Sequence, residues 1–207
     1  MKKTIISALA LGASMTAFAG EMGPVTEGGF YGQVEGGYSQ LNAKDIGNAT
    51  VDNGDFGFAA RVGYLFPLAS TWSAGVEGGY FNLGKSTYKV DGANLMDLKQ
   101  QGFDLLAVVK KQLNSNFDVF GKAGVAYVDQ DAKFPAYVAN AGNLNSSYEK
   151  TKFLPEIAGG VAYNINQNLA VTGTVNHIFG DKIDINSTSN NVASSTSALV
   201  GLRYTFG

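Results

Sequence analysis

Strict alternation of bulky apolar residues with small or charged ones, renewed segment after segment, constrains this chain more than any other feature. It is clearest between Phe56 and Phe81. There Phe56, Phe58, Ala60, Val62, Tyr64 and Phe66 form one set against Gly57, Ala59, Arg61, Gly63 and Leu65. After Pro67–Thr71 the rhythm returns, with Trp72, Ala74, Val76, Gly78 and Tyr80 against Ser73, Gly75, Glu77 and Gly79. Side chains on a strand point alternately to opposite faces, so each half has a greasy face and a small-or-charged face. Pro67 is expected to end the ladder and force the reversal, which makes the stretch a β-hairpin. Its greasy face suits either the core of a soluble sheet or contact with lipid.

The chain opens with Lys2 and Lys3, an apolar run from Ile5 to Ala13 broken only by Ser7, and Ala17-Phe18-Ala19. A basic start, a short apolar run and small residues at Ala17 and Ala19 are the parts of a secretory signal peptide. The expected division is a signal peptide over 1–19, cleaved after Ala19, and one domain over 20–207. No later segment is long and apolar enough for a transmembrane helix. With no cysteine, an exported chain relies on hydrogen-bond ladders and packing. The net charge of −2 and the absence of a basic run argue against nucleic acid as a partner.

Alternation defines eight strands: Phe30–Ser39, Phe56–Phe66, Trp72–Phe81, Phe103–Lys110, Phe117–Tyr127, Phe153–Ile165, Leu169–Phe179 and Thr196–Phe206. The connections alternate too. Leu41–Asp55, Asn82–Gln101, Asp129–Thr151 and Gly180–Ser195 read as long polar loops, whereas Pro67–Thr71, Leu113–Asn116 and Asn166–Asn168 are short reversals. Strands of about ten residues cross a bilayer when tilted by ~45°. Short turns at one end and long loops at the other are the pattern of an outer-membrane barrel. Aromatics mark both ends: Phe30, Phe66, Trp72, Phe117, Tyr163 and Phe206 near the short turns, and Phe56, Tyr80, Phe103, Tyr127, Phe153 and Phe179 near the loops. The fold class is therefore all-β, an eight-stranded antiparallel, up-and-down transmembrane β-barrel. A soluble ligand-binding barrel would instead turn its bulky set inward.

With the greasy set outward, the strand charges fall on the inner face: Glu35, Arg61, Glu77, Asp104, Lys110, Asp118, Lys122, Glu156 and Arg203, with Lys111 the exception. Counted from the short turns, Glu35, Arg61, Glu77, Lys110, Lys122 and Arg203 lie about three to five residues up. Their signs alternate around neighbouring strands, which implies an interior belt of opposite charges. A buried charge without a partner costs several kcal/mol, so the belt is expected to be paired. It serves either as a structural plug or as a gate whose ion pairs exchange to admit water or small ions.

The signal peptide, the opening strand FYGQVEGGYSQ, the strand–turn–strand pattern and the closing LVGLRYTF resemble the small outer-membrane barrels of Gram-negative bacteria, the OmpA-type transmembrane domain and its relatives. The resemblance covers nearly all of the chain after the signal peptide. It implies residence in the cell outer membrane among lipid and lipopolysaccharide, as a monomer. It also implies insertion by a barrel-assembly machinery that reads a terminal aromatic. Tyr204 and Phe206 match that signal, although Gly207 follows. The implied role is structural and surface-interacting, with loops available to host ligands; the alternatives are a narrow pore and a lipid-A-modifying enzyme.

Chemistry-bearing motifs are sparse. His177 is the only histidine, and its period-two neighbours Val175 and Phe179 offer no hydroxyl for a dyad. One histidine and no cysteine do not make a zinc site. Asp45, Asp52 and Asp55 lack EF-hand spacing. The doublets Gly36-Gly37, Gly78-Gly79 and Gly159-Gly160 precede no helix, so they read as sites of curvature and close packing. No metal, cofactor or catalytic residue is expected.

Overall fold

The computed structural model describes residues 28–42, 50–52, 54–90, 93–133, 147–180 and 192–206. Ala17, Ala19 and Asp45 lie outside the described residues, as do 134–146 and 181–191 within two of the long loops.

Among the described residues nine strands form: β1 Gly29–Asn42, β2 Thr50–Asp52, β3 Gly54–Ala69, β4 Trp72–Val90, β5 Ala93–Gln112, β6 Phe117–Lys133, β7 Ser147–Asn164, β8 Leu169–Ile178 and β9 Ser194–Phe206. Their order is β2-β4-β3-β1-β9-β8-β7-β6-β5, and β5 returns to β4. Eight strands thus close an antiparallel up-and-down barrel, while β2 adds only a three-residue pairing to the far end of β4. The seam joins first to last, from Phe30 opposite Phe206 to Asn42 opposite Ser194. Closure pairs each barrel strand with a neighbour on both sides, as a membrane without water to satisfy backbone groups requires. No described helix is long and apolar enough to cross a membrane.

Two expectations are corrected. Pro67 does not end its strand: β3 continues with Pro67 opposite Ser73 and Ala69 opposite Trp72, across a register shift, and only Ser70 and Thr71 turn. The irregularity accommodates the missing N–H. The second correction concerns Asn82–Gln101, which is not a loop. It is the continuation of β4 and β5, paired up to Val90 opposite Ala93. Beyond the bilayer a ribbon needs no greasy face, so the ladder outlives the alternation that reveals it. The lengths of the eight barrel strands accordingly run from 10 residues in β8 to 20 in β5. Pro155, within β7, is tolerated for a related reason. It opposes Val125 on one side, while on the other the β8 ladder begins only at Glu156 opposite Ile178.

Sidedness follows the expected assignment. Phe58 and Val76 are 43% and 54% exposed on the outer wall, whereas Arg61 and Glu77 are 4% and 1% exposed within. The interior is less uniformly polar than expected. Near the loop end Phe81, Leu83, Val128, Leu154, Ile178 and Leu199 form a buried apolar plug. A narrow lumen must be filled, and hydrocarbon fills it wherever no ion pair does. Val192 joins this plug, and adjacent Ala193 is held there by two glutamines. Gln100 Nε2 donates to the Ala193 carbonyl and the Ala193 N–H donates to Gln130 Oε1, each at 3.0 Å.

Candidate functional site

Below the apolar plug lies an ionic layer, built by a repeated local device in which a long side chain crosses a glycine on the next strand to reach a partner on the strand beyond. Tyr31 on β1 faces Gly63 on β3, which faces Glu77 on β4. A Cβ at Gly63 would lie 2.6 Å from the Tyr31 ring; without it, the phenol donates to Glu77 Oε2 at 2.7 Å. Arg61 likewise passes over Gly79 to reach Asp104. Glu35 crosses Gly201 toward Thr174, whose hydroxyl donates to Glu35 Oε1 at 2.6 Å. Of the glycine doublets, Gly78-Gly79 therefore owes its second member to side-chain packing.

Arg61 is the centre of this layer. Its Nη1 is 2.7 Å from Glu35 Oε2, and its Nε and Nη2 are each 2.9 Å from Asp104 Oδ2. Glu77 and Glu156 lie farther out, at 3.7 and 3.8 Å. Lys122 Nζ completes the layer, at 2.7 and 2.9 Å from the two Glu77 oxygens. Four carboxylates thus surround two cations, and each of these side chains is at most 2% exposed.

The six belt residues do not form one ring. Glu35, Arg61, Glu77 and Lys122 come together, but Lys110 and Arg203 sit nearer the turns. They share Asp118 Oδ2 at 3.5 and 3.2 Å. Arg203 faces Gln33 across the seam, while Glu35 faces Gly201. Asp104 and Glu156, expected inside but above the belt, belong to the Arg61 cluster. Counting heights along each strand ignores tilt and side-chain reach, and both decide which charges meet. A cavity of about 370 Å3 opens at the turn end beneath Lys110 and Arg203.

On the outer wall, Lys111 lies over the Trp72 ring at 5.1 Å, which accounts for its outward position. Tyr204 and Phe206 are exposed at the end of β9, their rings edge-to-face at 5.0 Å. His177 gains a cross-strand hydroxyl that its own strand does not offer: Nδ1 is 2.9 Å from Thr196 Oγ1, and the ring packs edge-on against Phe179. Reading along one strand misses such a neighbour. Asp55 caps backbone: its carboxylate oxygens accept from the N–H groups of Phe56 and Lys85, each at 2.7 Å.

Just above the Tyr127–Phe153 ring pair, Asp129, Asp131 and Glu149 bring carboxylate oxygens within 4.8 Å of one another. Partial burial raises the Asp129 pKa, the Asp131 charge adds to this, and a hydrogen bond from Gln101 opposes it. A carboxyl raised on folding stabilises most at low pH, and its contribution fades as pH rises through the folded value. Asp131→Asn should move the Asp129 pKa down toward the ordinary aspartate range and weaken this fading, as read by carboxyl NMR titration in micelles. An unmoved Asp129 would mean that burial alone sets the shift.

The sequence profile described as OmpA-like transmembrane domain matches residues 26–207. No curated protein matches the chain. Among solved structures, OprG from Pseudomonas aeruginosa is similar at 19% identity and TM-score 0.55, covering 86% of this chain and 96% of its own. Ail, the attachment invasion locus protein of Yersinia pestis, is similar at 16% identity and TM-score 0.52, over 84% and 97%. The neisserial surface protein NspA stands at 15% and 0.52, over 86% and 97%.

Proposed function

We propose, since the chain belongs to the OmpA-like transmembrane domain family and lies in the outer membrane, that it is a plugged barrel which strengthens the envelope and holds surface loops for contact with external ligands. The supporting observation is the burial of the Arg61 layer. Each of its side chains is at most 2% exposed and lies within ion-pair distance of an opposite charge. The apolar plug seals the lumen again above. A conducting role would need both layers to open together. Strands β4 to β7 run past the loop-end aromatics, so their shared ladder continues beyond the bilayer. A protein of the same fold carries attachment in its name, which is in keeping with a surface role.

In this reading the processed chain starts at Gly20 and acts as a monomer among lipid and lipopolysaccharide. Tyr204 and Phe206 serve as its assembly signal, and no catalytic step is involved. The refolded protein should hold planar bilayers at baseline current, and deleting 134–146 and 181–191 should abolish binding to host-cell surfaces while heat-modifiable gel migration persists. Steady single-channel conductance in the intact protein would favour the pore instead. Undiminished binding after both deletions would remove the loops as the contact surface.

A further inference from the structure

The turn-end cavity has a charge pattern that neither a plug nor a surface-loop role requires. Its lining includes Lys110, Gln112, Asn116, Asn164, Gln167 and Arg203, and no carboxylate is among its lining residues. Among the described residues, the acid within salt-bridge distance of Lys110 and Arg203 is Asp118, and both reach the same oxygen. The carboxylates deeper in the barrel are directed at Arg61 and Lys122 instead. One acid between two cations leaves this end of the lumen locally positive, beneath the four carboxylates and two cations of the Arg61 layer. The side chains of Lys110 and Arg203 are 10% and 8% exposed, and both line the cavity. Around them the cavity wall is neutral and rich in side-chain amides, which can donate and accept hydrogen bonds. The cavity's volume of about 370 Å3 lies within the range of small-molecule sites.

We propose that this cavity is a carboxylate-binding site open to the periplasm, in which Lys110 and Arg203 hold the anion and the surrounding amides hydrogen-bond the group that carries it. The site is independent of the loops and stands or falls separately from their role. Two sources can supply the carboxylate. One is an acidic peptide or metabolite free in the periplasm. The other is this chain itself: Gly28 lines the cavity, and the sequence just before it carries Glu21 and Glu27.

The test uses the processed chain refolded in detergent micelles, with N-acetyl-L-glutamate as the probe and acetamide as the uncharged control. The NMR signals of the Gln112 and Asn164 side-chain amides and of Lys110 Nζ are followed. N-acetyl-L-glutamate should shift them saturably and acetamide should not. Asp118→Asn removes the internal competitor and should tighten binding about tenfold, whereas Lys110→Gln should weaken it by a similar factor. A response in the wild type identifies a free ligand. Silence in the wild type with binding in an E21Q/E27Q double variant identifies the chain's own segment as the occupant. Absence of binding in the wild type, the double variant and Asp118→Asn overturns the proposal. So does binding of equal strength in the wild type, Asp118→Asn and Lys110→Gln.

Discussion

Arg61→Met should cost the barrel about 3–5 kcal/mol, the largest loss expected of any single side chain in the lumen. The guanidinium donates to Glu35 and Asp104 at 2.7 and 2.9 Å and faces Glu77 and Glu156 just beyond. Without it, four buried carboxylates are left with Lys122 alone, and Lys122 is already committed to Glu77. These side chains are at most 2% exposed, so bulk ions screen them little. The loss should therefore respond little to salt, unlike that of a surface pair. Arg61→Lys keeps the charge but cannot fork to two acids, so it should fall between wild type and Arg61→Met. Adding Glu35→Gln and Asp104→Asn to Arg61→Met should recover much of the loss, because what destabilises is the uncompensated charge rather than the missing contact. Urea unfolding in lipid vesicles, followed by tryptophan fluorescence from Trp72, measures all of these. A loss below about 1 kcal/mol for Arg61→Met would mean that water reaches the layer freely, and the plug would have to be abandoned in favour of a wet channel.

The layer illustrates what a sequence discloses and what it withholds. Sidedness is legible at every strand, because lipid on one side and a narrow lumen on the other force alternation. Phe58, Val76 and Arg61 each stand where their parity puts them. Strand ends are legible only where the membrane ends. Past the aromatics, Ser86 and Leu98 still pair as strand, but nothing in their polarity reveals it. Pairing across the lumen is not legible at all. Lys110 and Arg203 are at the same counted height as Glu35, yet the closed barrel brings both to Asp118. The signal that would have helped is glycine. Gly63, Gly79 and Gly201 mark the strands that a long side chain must cross, and each points to the acid or hydroxyl two strands away.

The second large effect belongs to the outer wall. Val76 is halfway between Trp72 and Tyr80 on β4, facing outward opposite Ala107 and Tyr64. Trp72 belongs to the turn-end aromatics and Tyr80 to the loop-end set, so Val76 is near the bilayer midplane. Val76→Arg should destabilise the barrel in vesicles by about 2–4 kcal/mol, the cost of a cation at that depth. Leu68→Arg, beyond Phe66 at the turn end, should cost only about 0–1 kcal/mol, because the side chain there reaches headgroups and water. The same two variants should converge in short-chain detergent micelles, where water and headgroups lie closer to the mid-wall. That difference between vesicle and micelle separates burial in lipid from damage to the sheet itself, which would follow the protein into either environment. Equal costs at Val76 and Leu68 in vesicles would mean that the wall between the two aromatic rings is not in hydrocarbon, and the sidedness on which the lumen's ion pairs depend would lose its physical cause.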